Sequence, residues 1–214
     1  MKSTVNENLG ILLRQIYCDN HLLILEKPAG ISTQPEFHEQ AKAWGKQAFN
    51  KPGNIFLEPI HRLDRPVGGM VVFARTSKAL SRLNESMRKG EIQKFYIALV
   101  EGEIGEEGTL EHHLLHGDHR ALIAEPGEGR LARLSFVRKK VKGGKSLVQV
   151  ELHTGRYHQI RAQFSAAGHP IVGDKKYGAK KESKAIALHH NKLILPHPVS
   201  KKRLTFQSQA ASFF

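Results

Sequence analysis

The chain has 214 residues, 40% of them apolar, and a formal net charge of +13; this length supports one sizeable core, so a single domain over 1–214 is expected. No apolar run approaches the roughly 20 residues of a membrane span, and the start MKSTVNENLG lacks the basic-then-apolar layout of a secretory leader, so a soluble cytoplasmic protein is the expectation. The only cysteine, Cys18, argues against an internal disulfide and a thiolate-bound metal, and ahead of the apolar run LLILE it reads as a small packed residue.

In chain order, IYCDNHLLILEKPAG reads as one strand stopped by the Lys-Pro-Ala-Gly turn. A loop and a short helix are expected over 34–50. MVVFA at 70–74, after two glycines, suits a buried strand. Leu80, Leu83 and Met87 recur at helical spacing, with Ser77 as cap and Gly90 as stop, which predicts a helix over 78–89. IQKFYIALVEG alternates as a strand does, with Phe95, Ile97 and Leu99 on one face and Tyr96 and Ala98 on the other.

Residues 101–130 are acidic, rich in histidine and Gly-containing, and read as irregular hairpins. LARLSFVRKK and KSLVQVELHTG look like two strands joined at KGG. A helix over 158–167 closed by Gly168 follows, and IALHHNKLILPHP and KRLTFQSQ supply further strands. Strands dominate, so the fold class is α+β.

The charge is lopsided. Residues 1–129 hold 15 basic and 17 acidic side chains, whereas 130–214 hold 18 basic and 3 acidic. Clustered cations gain from counterion release on a phosphate backbone, so the asymmetry suits a polyanion partner as well as it suits solubility alone.

Three segments could carry chemistry. In HRLDRPVGGMVVFA, Asp64 lies between Arg62 and Arg65; flanking positive charge would hold it ionised as a nucleophile or base, unless the cluster is only a structural ion pair. In TGRYHQIRAQFSAAGHPIVGDKKYG, Arg161 stands beside the helical stripe of Ile160 and Phe164. It either reaches inward to a buried carboxylate, for which Asp64 is a candidate, or is solvated. In QKFYIALVEG, Tyr96 is either a ring that stacks on a base or a half-buried sheet tyrosine. His112, His113, His116 and His119 are close enough to suggest a metal cluster, but with no cysteine and a loop-like setting no metal site is expected.

Taken together, KPAG (27–30), HRLD (61–64), KFYIALVEG (94–102), TGRYHQIRAQFSAAGHPIVGDKKYG (154–178) and IALHHNKLILPHP (186–198) resemble the RluA-like RNA pseudouridine synthases over about residues 15 to 208. The resemblance implies a mixed, largely antiparallel β-sheet with flanking helices. It implies Asp64 as the catalytic aspartate, Tyr96 as the ring that stacks on the target uracil, and Arg161 as the basic residue that pairs with that aspartate. Arg62 matches a residue that helps displace the target base, and His61, Arg65, Arg156 and His158 join it as candidate substrate-binding residues; His61 and His158 suit structural hydrogen bonds better than a role as bases. Two positions depart from the family pattern: Val67-Gly68-Gly69 stands where Thr-Ser-Gly is usual, and Tyr157 where Thr or Ser is commoner. The expected partner is ribosomal or transfer RNA, with no cofactor, metal or membrane, no S4 domain, and a monomeric state. The rival class is a non-catalytic RNA-binding or remodelling protein, which would have no need of Asp64.

Overall fold

The computed structural model describes residues 13–50, 53–125 and 127–209; the stretch MKSTVNENLG lies outside them. Its strands are β1 (Arg14–Cys18), β2 (Leu22–Lys27), β3 (Glu58–Pro59), β4 (Gly68–Ala74), β5 (Gln93–Glu101), β6 (Glu107–His116), β7 (Ala121–Ala124), β8 (Arg130–Lys142), β9 (Lys145–Leu152), β10 (Leu188–Pro196) and β11 (Arg203–Gln207). The helices are α1 (His38–Ala48), α2 (Ser77–Arg88) and α3 (Gln159–Ala166). The expected α+β class, a largely antiparallel sheet arrangement with flanking helices, is what forms. The elements fall into two compact units, residues 13–92 with Lys192–Gln209, and Gln93–Asn191.

In the first unit, β2 pairs antiparallel with both β1 and β4, and residues 192–196 of β10 pair with β11. The single strand expected over the N-terminal segment is therefore a hairpin. Asp19 makes the turn: its Oδ1 accepts from the backbone N–H of His21 at 2.7 Å and of Leu22 at 2.8 Å, an Asx-type turn that competes with strand continuation. Every residue of β4 is buried because both faces are covered. Met70, Val72 and Ala74 pack with Leu22, Ile24 and with Ala79 and Leu83 of α2, while Phe73 points the other way to Phe37, with ring centroids 5.9 Å apart. The cap of α2 is Thr76 and not Ser77: the Thr76 hydroxyl accepts from Ala79 N–H at 3.1 Å.

In the second unit, β5 pairs with β9, β9 with β8, β8 with β6 and β6 with β7, all antiparallel. The β8–β9 hairpin turns at Gly143 and Gly144, both at positive φ (58° and 65°) as the KGG segment led one to expect. The region expected to form irregular hairpins holds the β6–β7 hairpin, whose first strand runs a regular ten residues. Its ladder with β8 runs from Glu107↔Val137 to Leu114↔Arg130, a register set by the partner strand and not by any hydrophobic alternation of its own. Helix α3 packs Phe164 on Phe136 at 5.6 Å, and Ala162 joins Leu114, Ala121, Ala132 and Tyr177 in a small core.

Candidate functional site

Asp64 belongs to the first unit, in the loop from β3 to β4, and is half-buried. Short polar contacts fix that loop on both sides of the carboxylate. Thr33 Oγ1 accepts from Leu63 N–H and donates to Leu63 C=O, each at 2.9 Å. Val67 N–H donates to Asp64 C=O at 3.0 Å, and Gly30 N–H to Arg65 C=O at 2.7 Å. His61, placed among the substrate-binding candidates, uses Nε2 to accept from Val72 N–H at 3.2 Å, the structural role its setting suggested.

The two arginines that flank Asp64 in sequence differ in their settings. Arg65 directs its guanidinium to Glu36, at 2.7 Å through Nη2 and 3.3 Å through Nη1, and to Gly30 C=O. Arg62 is exposed. The buried cation is Lys27, 1% exposed, whose Nζ donates to the carbonyls of Pro28 at 2.9 Å and Ile31 at 2.7 Å. Burial pushes the Lys27 pKa down to about 8, against the pull of the Asp64 charge, which favours the ammonium. Lys27 was legible only as part of the KPAG turn. In the first unit its charge couples to that of Asp64.

Tyr96 belongs to the second unit. The buried face of β5 is the one carrying Lys94, Tyr96, Ala98 and Val100, so the tyrosine points into the molecule; its ring stacks on His190 with centroids 4.7 Å apart and 24° between planes. Arg161 on α3 is turned inward, as one of the two readings of its position required. A carboxylate it holds there is Asp174: Nε lies 2.6 Å from Oδ2 and Nη2 2.9 Å from Oδ1, with side chains 4% and 1% exposed. This two-point geometry matches the guanidinium fork and fixes its plane. Asp174 was not singled out from the sequence, although it lies inside the GDKKYG motif.

The start of α3 is tied down by a chain of contacts. Gln159 Oε1 accepts from the Thr154 hydroxyl at 2.7 Å and from Arg156 N–H at 3.0 Å. Its Nε2 donates to Arg133 C=O at 3.1 Å and to Gln163 Oε1 at 3.0 Å. Arg156 donates through Nε to Leu131 C=O at 2.9 Å. His158, at φ 49°, has Nδ1 2.9 Å from the Tyr177 hydroxyl, which accepts from Ala121 N–H at 2.7 Å. Burial first, then the charges of Arg161 and Lys176, pushes the His158 pKa down to about 3, so the ring is neutral and structural at physiological pH.

Tyr157, the residue that departs from the usual motif, stacks between His158 at 3.8 Å and His116 at 4.2 Å. His112 lies 3.2 Å from Gln163 Nε2. Among the described residues no group of three or more His, Cys, Asp or Glu side chains is placed to hold a metal ion.

Comparison with known proteins places these residues in context. The RNA pseudouridylate synthase family pattern matches residues 21–166. The dual-specificity RNA pseudouridine synthase RluA of Haemophilus influenzae is 32% identical over 224 residues, covering 96% of each chain. A protein of the same name from Haemophilus ducreyi is 29% identical over 94% of this chain and 95% of its own. The ribosomal large subunit pseudouridine synthase C of Buchnera aphidicola (subsp. Schizaphis graminum) is 32% identical over 94% of this chain and 68% of its own. Among solved structures, human RNA pseudouridylate synthase domain containing 4 superposes with a TM-score of 0.80 at 19% identity, over 94% of this chain and 89% of that one. Human RNA pseudouridylate synthase domain containing 1 gives 0.75 at 22%, over 98% and 86%. The two human structures establish the likeness of fold.

Proposed function

Because the chain belongs to the RluA-like branch of the RNA pseudouridylate synthase family and is therefore an isomerase acting on RNA, we propose that it converts one or more uridines of structured ribosomal or transfer RNA to pseudouridine with Asp64 as the catalytic carboxylate. The observation that carries the reading is the family match across 21–166, which includes Asp64, Tyr96 and Arg161. The relative named for the ribosomal large subunit supports ribosomal RNA as one substrate.

In this reaction the N1–C1′ bond of uridine breaks, the uracil turns, and C5 bonds to C1′; the C5 proton leaves and N1 gains one, so no atom or electron is gained overall. Asp64 starts the reaction either by attacking C1′ or by removing the C2′ proton, and both routes need the ionised carboxylate. The target nucleotide leaves its stack at a cost of a few kcal/mol. Tyr96 offers a face on which the uracil stacks, Arg62 occupies the space the base leaves, and Arg161 favours the charged form of Asp64. His61, Arg65, Arg156 and His158 shape the loops that receive the RNA. The protein acts as a monomer in the cytoplasm, and none of these steps calls on a cofactor.

The test is the pseudouridine map of cellular RNA from a strain lacking the gene, complemented with wild type or Asp64→Ala. Loss of one or a few sites, restored by wild type alone, is the expected result and names the substrate. An unchanged map would put the non-catalytic RNA-binding reading in its place.

A further inference from the structure

Lys94 stands two residues before Tyr96 on the same face of β5. It is 8% exposed, and no described residue gives its ammonium a hydrogen bond or an ion pair. Its cross-strand neighbour on β9 is Leu152, an apolar residue. Burial pushes its pKa down with no charged neighbour to oppose the shift. Lys27, the other buried lysine with a depressed pKa, differs on this point, because backbone carbonyls receive its protons. A buried ammonium with neither carbonyl nor carboxylate opposes folding and is retained where something outside the chain completes it.

The tip of Lys94 lies next to the surface. Gly155 is exposed, and a methyl group placed on its α-carbon would stand 3.4 Å from Lys94 Nζ. The missing side chain of Gly155 thus leaves the ammonium open on that side while the aliphatic stem stays packed.

We propose that Lys94 is a phosphate anchor: through the opening at Gly155 its ammonium binds the phosphate attached to the uridine whose base stacks on Tyr96. This rests on the reading of Tyr96 as the stacking residue. Side chains two apart on a strand face are about 7 Å from each other, a separation that one nucleotide spans from base to phosphate. A uracil carbonyl would supply a hydrogen bond but no charge, whereas a phosphate supplies both and offsets the desolvation of the lysine.

The test uses the full chain and a synthetic RNA stem-loop spanning the mapped uridine, with or without a neutral methylphosphonate at the phosphate 5′ of that uridine. If mapping finds no uridine, a hairpin with a uridine loop is used and equilibrium binding alone is read. Lys94→Met is expected to raise KM or Kd about tenfold or more with kcat nearly unchanged, to lower the slope of log affinity against log salt by about 0.7 to 1, and to leave the melting temperature equal or higher. Lys94→Arg restores part of the affinity. Gly155→Ala, at a residue whose φ lies outside the left-handed region, raises KM as well and serves if Lys94→Met fails to fold. The methylphosphonate weakens wild type by the same factor as Lys94→Met and has no further effect on that variant. Wild-type affinity and salt slope in both Lys94→Met and Gly155→Ala, or a methylphosphonate that costs wild type nothing, overturns the anchor. Failure of the synthase reading looks different, since wild type itself then leaves the mapped uridine unconverted.

Discussion

The loop that carries the Asp64 carboxylate is held by contacts that do not use its side chain: Thr33 with Leu63, Gly30 with Arg65, and Val67 with Asp64 C=O. Asp64→Asn therefore keeps the loop and removes the charge. Single-turnover conversion of the mapped uridine is expected to fall at least about a thousandfold, while equilibrium binding of the RNA changes by no more than about twofold. A variant that loses binding in the same proportion as turnover would make the residue a structural one. Lys27 gives a second prediction. Its folded pKa of about 8 lies below its ordinary 10.5, so the unfolded chain binds more protons between those two values and the fold gains stability as pH rises through that window. The gain is on the order of 3 kcal/mol, is absent below about pH 8, and is complete above about pH 10.5. The pH dependence of stability, from denaturant titrations of wild type and Lys27→Met across that range, should differ in slope; parallel curves would show that folding leaves the Lys27 pKa unshifted. Asp64, Tyr96 and Arg161 could be singled out as candidates because each sits inside a dense motif. Lys27 and Asp174 were not assigned roles although both lie in quoted motifs, because their contacts span 38 residues to Arg65 and 13 to Arg161, and only folding brings those atoms together.

The elements differ in how far local sequence determines them. Helix α2 carries its own instructions, with apolar residues at helical spacing and a hydroxyl cap, and it forms one residue from where it was expected; the cap fell to Thr76 and not Ser77 because the preceding residue holds the extended conformation a cap needs. Strand β4 was equally legible as a continuous apolar run covered on both faces. Strand β6 was hidden, since its burial does not alternate cleanly and its histidines read as loop; its order comes from β8. The β1–β2 hairpin was missed because the Asp19 turn is a side-chain to backbone device inside an apparently continuous run. Helix α3, with eight residues, is too short to be stable on its own and depends on its tertiary contacts, of which the buried Arg161–Asp174 pair is the strongest candidate. Asp174→Asn removes a buried charged partner of the guanidinium and is expected to destabilise the fold by about 3–5 kcal/mol, read as a shift of the chemical denaturation midpoint with unchanged cooperativity. A shift below about 1 kcal/mol would mean that the pair acts like a surface contact.

The charge of the whole chain separates in sequence, and its basic part includes the β8–β9 hairpin, where Lys139, Lys142 and Lys145 are exposed. Arg138, by contrast, is already paired with Glu106 at 3.5 Å. Exposed lysines at a hairpin tip, where both glycines of the turn lie at positive φ, contribute little to folding and are suited to contact a backbone of phosphates. Replacing Lys139, Lys142 and Lys145 together by Gln removes up to three phosphate contacts. If all three touch RNA, the slope of log affinity against log salt falls by about 2 to 3, affinity at physiological salt drops for every RNA to a similar degree, and kcat at saturating RNA stays as it was. The melting temperature should move little, because none of the three is buried. Equal losses across unrelated RNAs would show that this hairpin supplies attraction without selection, leaving the choice of uridine to the loops around Asp64 and the start of α3. A loss confined to one RNA would instead make the hairpin a reader of its shape, and an unchanged slope would show that the excess charge of residues 130–214 serves solubility.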